Sequence, residues 1–143
     1  MDKPNLKINE KNIDSEILKQ AQHYYEWSYL AAEAENVRDN EKELLDIVSE
    51  QVESEIRNAP EKYFIGKPTE AAIKHKVNSS APVRHQRKKY NDARARARLL
   101  LTAEKSFEMR KRMIEAYVYR TNRQINSEVN IRAGQEALKK ILR

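Results

Sequence analysis

The chain contains no cysteine, only two glycines and only four prolines in 143 residues. Without cysteine there is no disulfide framework and no thiolate zinc site. So few glycines and prolines leave few tight turns, which counts against a fold of many strands. No apolar run reaches the ~18 residues that a membrane span requires. The opening MDKPNLKINEKN lacks the apolar core of a signal peptide. A reducing cytosol is the natural setting for such a chain. Enzyme signatures are missing as well. There is no glycine-rich phosphate loop and no GxSxG, and His23, His75 and His85 sit in no metal-ligand spacing. Paired acids such as Glu33/Glu35 and Glu41/Glu43 read as a solvated helix face. The expectation is a non-catalytic protein with no metal and no cofactor.

What remains is rich in Ala, Glu, Lys, Arg and Leu, with 39% hydrophobic and 35% charged residues, a composition suited to long helices. The expected fold class is all-α: a long helical hairpin with a short connecting helix and a C-terminal amphipathic helix, assembling as an oligomer. The net charge of +6 is unevenly spread. Residues 1–60 carry seven Lys/Arg against fourteen Asp/Glu, and residues 61–143 carry twenty-one against eight. An acidic half and a basic half can attract one another, and the surplus on the basic side stays free for an outside anion.

Residues 1–12 are polar and aperiodic, a flexible arm. Asp14 is the expected N-cap of a helix reaching about Asn58, with Glu16 in its first turn. Ile13, Ile17, Ala21, Tyr24, Trp27, Ala31 and Ala34 recur at spacings of three and four, then Leu44, Leu45, Val48, Val52 and Ile56. One helix or two collinear helices both fit this pattern. Tyr24, Tyr25 and Trp27 fall inside it and read mostly as core.

Asn58-Ala59-Pro60 ends the helix. Gly66-Lys67-Pro68 marks a second turn, and Thr69 caps a short helix, TEAAIKHKV. Ser80 with Pro82 opens a second long helix. That helix is expected from about Ala81 to Arg120, on a seam of Tyr90, Ala93, Ala97, Leu100, Phe107, Ile114, Tyr117 and Val118 near 3.5 residues. Glu104 and Lys111 interrupt the seam. Residues 13–120 thus form the hairpin domain, and Ser127 caps a separate assembly helix within 121–143. Its stripe comprises Ile131, Gly134, Ala137, Leu138, Ile141 and Leu142. Helices of ~40 residues would each be about 60 Å long. A hairpin that thin leaves apolar positions for another chain, hence the expected homo-oligomer.

The second long helix carries the functional argument. Arg84 to Arg112 holds eleven Lys/Arg against three Asp/Glu on the same helix as the apolar seam. Such a helix suits a polyanion, with nucleic acid as the leading partner. Arg94, Arg96 and Arg98 lie two apart and fan over ~200° of helix surface. One reading is a salt-bridge lattice with the acidic helix. The other places Arg84, Arg87, Lys88 and the outward members Arg94 and Arg98 along a phosphate track, which gives affinity without sequence specificity. The loop from Arg57 to Lys67 adds Lys62 and the adjacent aromatics Tyr63 and Phe64. Single-strand binding combines cations with flat side chains on which bases stack. Tyr63 can act as such a platform or plug the end of the hairpin; for Phe64 the plug is the better reading.

The order HYYEWSYLAAEAE, IRNAPEKYFIGKPTEAAI and a basic helix ending MRKRMIEAYVYR resembles the UvsY-like bacteriophage recombination mediators over residues 13–120. The most specific piece is Pro60-Glu61-Lys62-Tyr63 followed by Lys67-Pro68-Thr69-Glu70-Ala71-Ala72-Ile73. The resemblance implies a small, helical, non-catalytic oligomer in the cytoplasm of an infected bacterial host. It implies binding of single-stranded DNA and help to a RecA-like recombinase in displacing single-strand-binding protein. A ring assembled through the C-terminal region is also implied, which maps onto Ile131, Ala137, Leu138, Ile141 and Leu142. In that family a Lys-x-Arg pair precedes paired tyrosines. Setting Tyr63-Phe64 on those tyrosines puts Asn58 and Pro60 at the basic positions. Arg57 and Lys62 are the nearby substitutes, and the basic helix carries more of the load. Two rivals stand beside this expectation. One is a structural adaptor coiled coil whose charges serve assembly only. The other is a helical regulator that binds duplex or RNA.

Overall fold

A computed structural model describes residues 4–141 of the chain, without the side chains of residues 137 and 139–141. It contains three α-helices: α1 (Ile13–Asn58), α2 (Glu70–Ser79) and α3 (Ala81–Ile141). Two 3-10 turns lie at Glu10–Asn12 and Pro60–Lys62, and no strand occurs among the described residues. The fold class is all-α.

The helix ends follow from local chemistry. α1 opens at Ile13, two residues before the Ser15 start that an Asp14 cap would give. The turn at Glu10–Asn12, capped by Asn9, runs straight into the helix, and Asn12 Oδ1 accepts from the Ser15 amide at 3.4 Å. Asp14 and Glu16 then sit in the first turn, where the helix dipole favours carboxylates. No break occurs at residues 36–42. Arg38 bridges that stretch by bonding Glu35 at 3.0 Å and Asp39 at 2.9 Å. Thr69 caps α2 by accepting from the Ala72 amide at 3.2 Å. Ser80 is extended, and Pro82 falls in the first turn of α3, where its missing amide costs nothing.

α3 does not stop near Arg120. It passes through residues 122–126 and Ser127 to Ile141 as one helix. No glycine or proline interrupts 121–133, and Gly134 alone lowers propensity without breaking the helix. The expected separate C-terminal helix is therefore the last part of α3.

The chain divides into two compact units, Glu26–Glu104 and Met1–Tyr25 with Lys105–Arg143. In the first, Ala31 and Ala34 of α1 meet Ala97 and Leu100 of α3, flanked by Trp27, Leu30 and Leu101. Alanine on both faces lets the backbones approach closely. A second cluster joins Ile56 of α1, Ile73 and Val77 of α2 and Val83 of α3, with Phe64 packed against it. Polar contacts tie the same helices: Ser28 Oγ donates to Glu104 at 2.8 Å, and Gln86 Nε2 donates to the Glu41 carboxylate at 2.5 Å.

In the other unit, Phe107 and Ile114 are buried and the Phe107 ring stacks on His23 at 5.7 Å between centroids. Arg110 is buried beside them. It donates to Gln20 Oε1 at 2.5 Å, to the Lys7 carbonyl at 3.2 Å and to the Glu16 carboxylate. Lys7 thereby ties the expected loose arm to α3. Tyr24 and Tyr25 are exposed rather than core, and of the aromatic group only Trp27 packs inward. Helical spacing does separate Tyr25, about 160° around the helix from Trp27, but not Tyr24, which lies only about 60° away.

Every residue from 122 to 136 is exposed, including Ile125, Val129 and Ile131, and so is Leu138. Of the proposed assembly stripe, Ile131 and Leu138 are thus open to solvent. The side chains of Ala137 and Ile141 and all of Leu142 lie outside the described residues.

Candidate nucleic-acid interface

All nine basic and aromatic residues proposed to touch DNA lie in the Glu26–Glu104 unit. Five of them form one stripe. At 3.6 residues per turn, Arg84, Arg87, Lys88, Arg94 and Arg98 fall within an arc of about 120° on α3, spread over about 21 Å of its length. The arc faces away from Ala93, Ala97 and Leu100, which the core occupies. Arg84, Lys88, Arg94 and Arg98 are exposed, and Arg87 is half-buried. Among the described residues, none of the five has a carboxylate within ion-pair distance. Arg96 is exposed too, on a different flank of the helix.

The start of this stripe forms one wall of a groove of about 670 Å³. Arg84, Arg87, Lys88, Asn91 and Asp92 line it from α3, and His75, Asn78 and Ser79 line it from the end of α2. Arg87 Nη2 donates to Asn78 Oδ1 at 2.5 Å, which holds the guanidinium over the groove. The cations outnumber the one acid, and two amides and a hydroxyl supply uncharged hydrogen bonds.

The loop side of α2 is different. Tyr63 is 37% exposed, with Lys76 Nζ 5.9 Å from its ring centroid. This keeps a flat face and a cation together, the pairing that stacking on a base and contact with its phosphate call for. Phe64 instead packs on the Ile56 cluster, so it plugs the core. Lys62 and Lys67 are exposed.

Arg57 is already committed. It bonds Glu70 at 2.6 Å and Glu53 at 2.7 Å. Its bonds to Glu70 and then Glu53 raise its affinity for its proton, and Arg57 in turn holds the Glu70 carboxyl below the ordinary carboxylate range. As a phosphate ligand Arg57 would first have to leave two carboxylates. The sequence placed it in the loop but could not show that Glu70, thirteen residues on, comes back to meet it.

His75, Asn78 and Lys76 are the residues that the sequence reading missed. His75 and Lys76 lie in the short helix TEAAIKHKV and Asn78 follows it directly, a segment read only for its Thr69 cap. Among the described residues no group of three or more His, Asp or Glu is arranged to hold a metal, and no helix is long and apolar enough to cross a membrane. Comparison with family models, with curated proteins and with solved structures finds no match for this chain.

Proposed function

We propose that the protein is a single-stranded DNA-binding recombination mediator of the UvsY-like kind, a non-catalytic homo-oligomer that helps a RecA-like recombinase displace single-strand-binding protein in the cytoplasm of a phage-infected bacterium. The observation that carries the reading is the cation stripe on α3. Five basic side chains, four of them exposed and Arg87 half-buried, share one face of α3 with no carboxylate partner among the described residues, beside a groove and an aromatic-cation pair. A helix that served only to pair with acidic α1 would spend those charges on it. Here Glu53 is met by Arg57, Glu35 and Asp39 are met by Arg38, and the α1 acid that α3 does pair, Glu16, is met by Arg110, which lies outside the stripe.

Phosphate contacts of this kind give sequence-independent affinity that weakens steeply with salt. Linking several such sites in an oligomer multiplies avidity without any new contact. The exposed Ile131 and Leu138, about 20° apart around the last part of α3, supply an apolar strip for that assembly, while Ile125 and Val129 face the other side. The same surface is what favours the rival reading, an adaptor coiled coil.

Anisotropy of a labelled ~30-nucleotide oligo-dT, titrated with protein across a salt series, separates the two. A matched duplex serves as competitor, and light scattering follows the oligomer. Salt-sensitive binding that prefers single strands while the oligomer persists supports the mediator; an intact oligomer that ignores oligo-dT at low salt sinks it.

A further inference from the structure

Ile65 is the most exposed large apolar side chain among the described residues, at the tip of the loop between α1 and α2. It lies on no helix seam, so no neighbouring turn extends it into a stripe. The loop is fixed on both sides of it. On the N-terminal side, the amides of Tyr63 and Phe64 both donate to the Pro60 carbonyl, at 3.0 and 2.9 Å, and the Phe64 side chain is anchored on the Ile56–Ile73–Val77–Val83 cluster. On the C-terminal side, Gly66 takes φ +87°, which a residue with a Cβ rarely adopts. Thr69 then locks the entry to α2. An apolar tip held this way has little conformational freedom left to lose on binding, so its contacts count more fully toward affinity.

The flanks of the tip are cationic. Lys62 and Lys67 are exposed on either side, and Tyr63 with Lys76 stands two residues away. The other wall of α2 carries the basic groove that leads onto the α3 stripe. A branched aliphatic side chain projecting between two lysines matches the chemistry of a wedge that opens a base stack, with the cations holding the phosphates on each side.

We infer that Ile65 inserts between adjacent bases of the bound strand, with Lys62 and Lys67 on the flanking phosphates. The inference rests on the single-strand-binding reading and adds to it a residue that unstacks rather than one that attracts. A protein partner with surface carboxylates would use the flanking lysines but offer Tyr63 no base to stack on. A membrane surface would use lysines and isoleucine alike, but not the groove and stripe that continue from them.

The test is an oligo-dT of ~30 nucleotides carrying one 2-aminopurine–adenine step, whose fluorescence is quenched by stacking, titrated with the full chain and with Ile65→Ser. Because Ile65 touches nothing in the core, the helical circular dichroism of the variant stays that of the parent. Binding by the parent raises the fluorescence severalfold. Ile65→Ser loses the rise and weakens binding about tenfold, equivalent to about 1.4 kcal/mol. Its salt dependence stays unchanged, since an isoleucine neutralises no phosphate. Ile65→Leu keeps the rise. If Ile65→Ser binds and unstacks like the parent, the wedge is overturned while the single-strand reading stands. If the parent shows no anisotropy change on oligo-dT, the single-strand reading itself has failed. If Ile65→Ser keeps the DNA response but loses binding to phosphatidylserine vesicles, the tip is a membrane anchor and the wedge is overturned.

Discussion

Replacing Arg110 by methionine tests the polar centre of the unit formed by Met1–Tyr25 and Lys105–Arg143. The Arg110 side chain is 4% exposed and Glu16 is 13% exposed, so the pair is largely out of water. Arg110 also serves Gln20 and the Lys7 carbonyl, and Gln20 Nε2 donates to the Phe107 carbonyl at 2.7 Å. Methionine fills much of the volume and leaves the Glu16 carboxylate without its cation. Stranding one member of a buried ion pair costs about 3–5 kcal/mol, and the residual solvent access of Glu16 puts this case near about 3 kcal/mol. For a chain of this size that lowers the melting temperature by roughly 10 °C. Replacing both partners, Glu16→Leu with Arg110→Met, removes the stranded charge. The double variant should recover most of the loss, because buried pairs replaced by apolar residues are often neutral or stabilising. Urea unfolding of the four proteins, followed at 222 nm, gives the coupling energy. A single variant within about 0.5 kcal/mol of the parent, or a double variant no better than Arg110→Met, would refute the argument.

Three further outcomes follow from the same structure. Phe107→Ala removes a fully buried ring that stacks on His23, and should cost about 3–5 kcal/mol by urea unfolding. The bond from Arg57 depresses the Glu70 carboxyl in the folded chain relative to its unfolded value. Its contribution is therefore present above the unfolded value near 4.5 and is lost as pH falls through the lower folded value. Melting temperatures from pH 6 to 3 should show a shallower acid-side decline in Glu70→Gln than in the parent. Arg94→Gln with Arg98→Gln should lower the salt slope of oligo-dT binding by about 1.4, at about 0.7 per lost phosphate contact. An unchanged slope would remove both residues from the interface.

Much of the fold was legible because apolar spacing and helix ends are local signals. Ala93, Ala97, Leu100, Phe107 and Ile114, read as a seam, are all buried. The Pro60 break and the Thr69 cap lie where expected. Glu104, which looked like an interruption, accepts the Ser28 hydroxyl. The second interruption was misread. The seam steps onto Arg110 rather than Lys111, and a buried arginine becomes intelligible only once Glu16 and Gln20, some ninety residues away, close around it. The stripe on α3 was half legible. Its cations are plain in the sequence, but which escape the acids depends on where α1 puts its carboxylates. His75 and Asn78 were hidden for the same reason, since a groove has two walls and only one was apparent.

The stretch from Asn122 to Glu136 is helical although every one of its residues is exposed. An isolated peptide of that length would be marginal in water, because the first turn is costly to form. Here the packed part of α3 has already formed that turn, and each further residue only has to propagate. Such a segment melts by fraying rather than by a cooperative step. Amide exchange should therefore quicken progressively from Asn122 toward Gly134, with no shared rate, and any surface that covers Ile125 and Val129 would be seen as a flattening of that gradient.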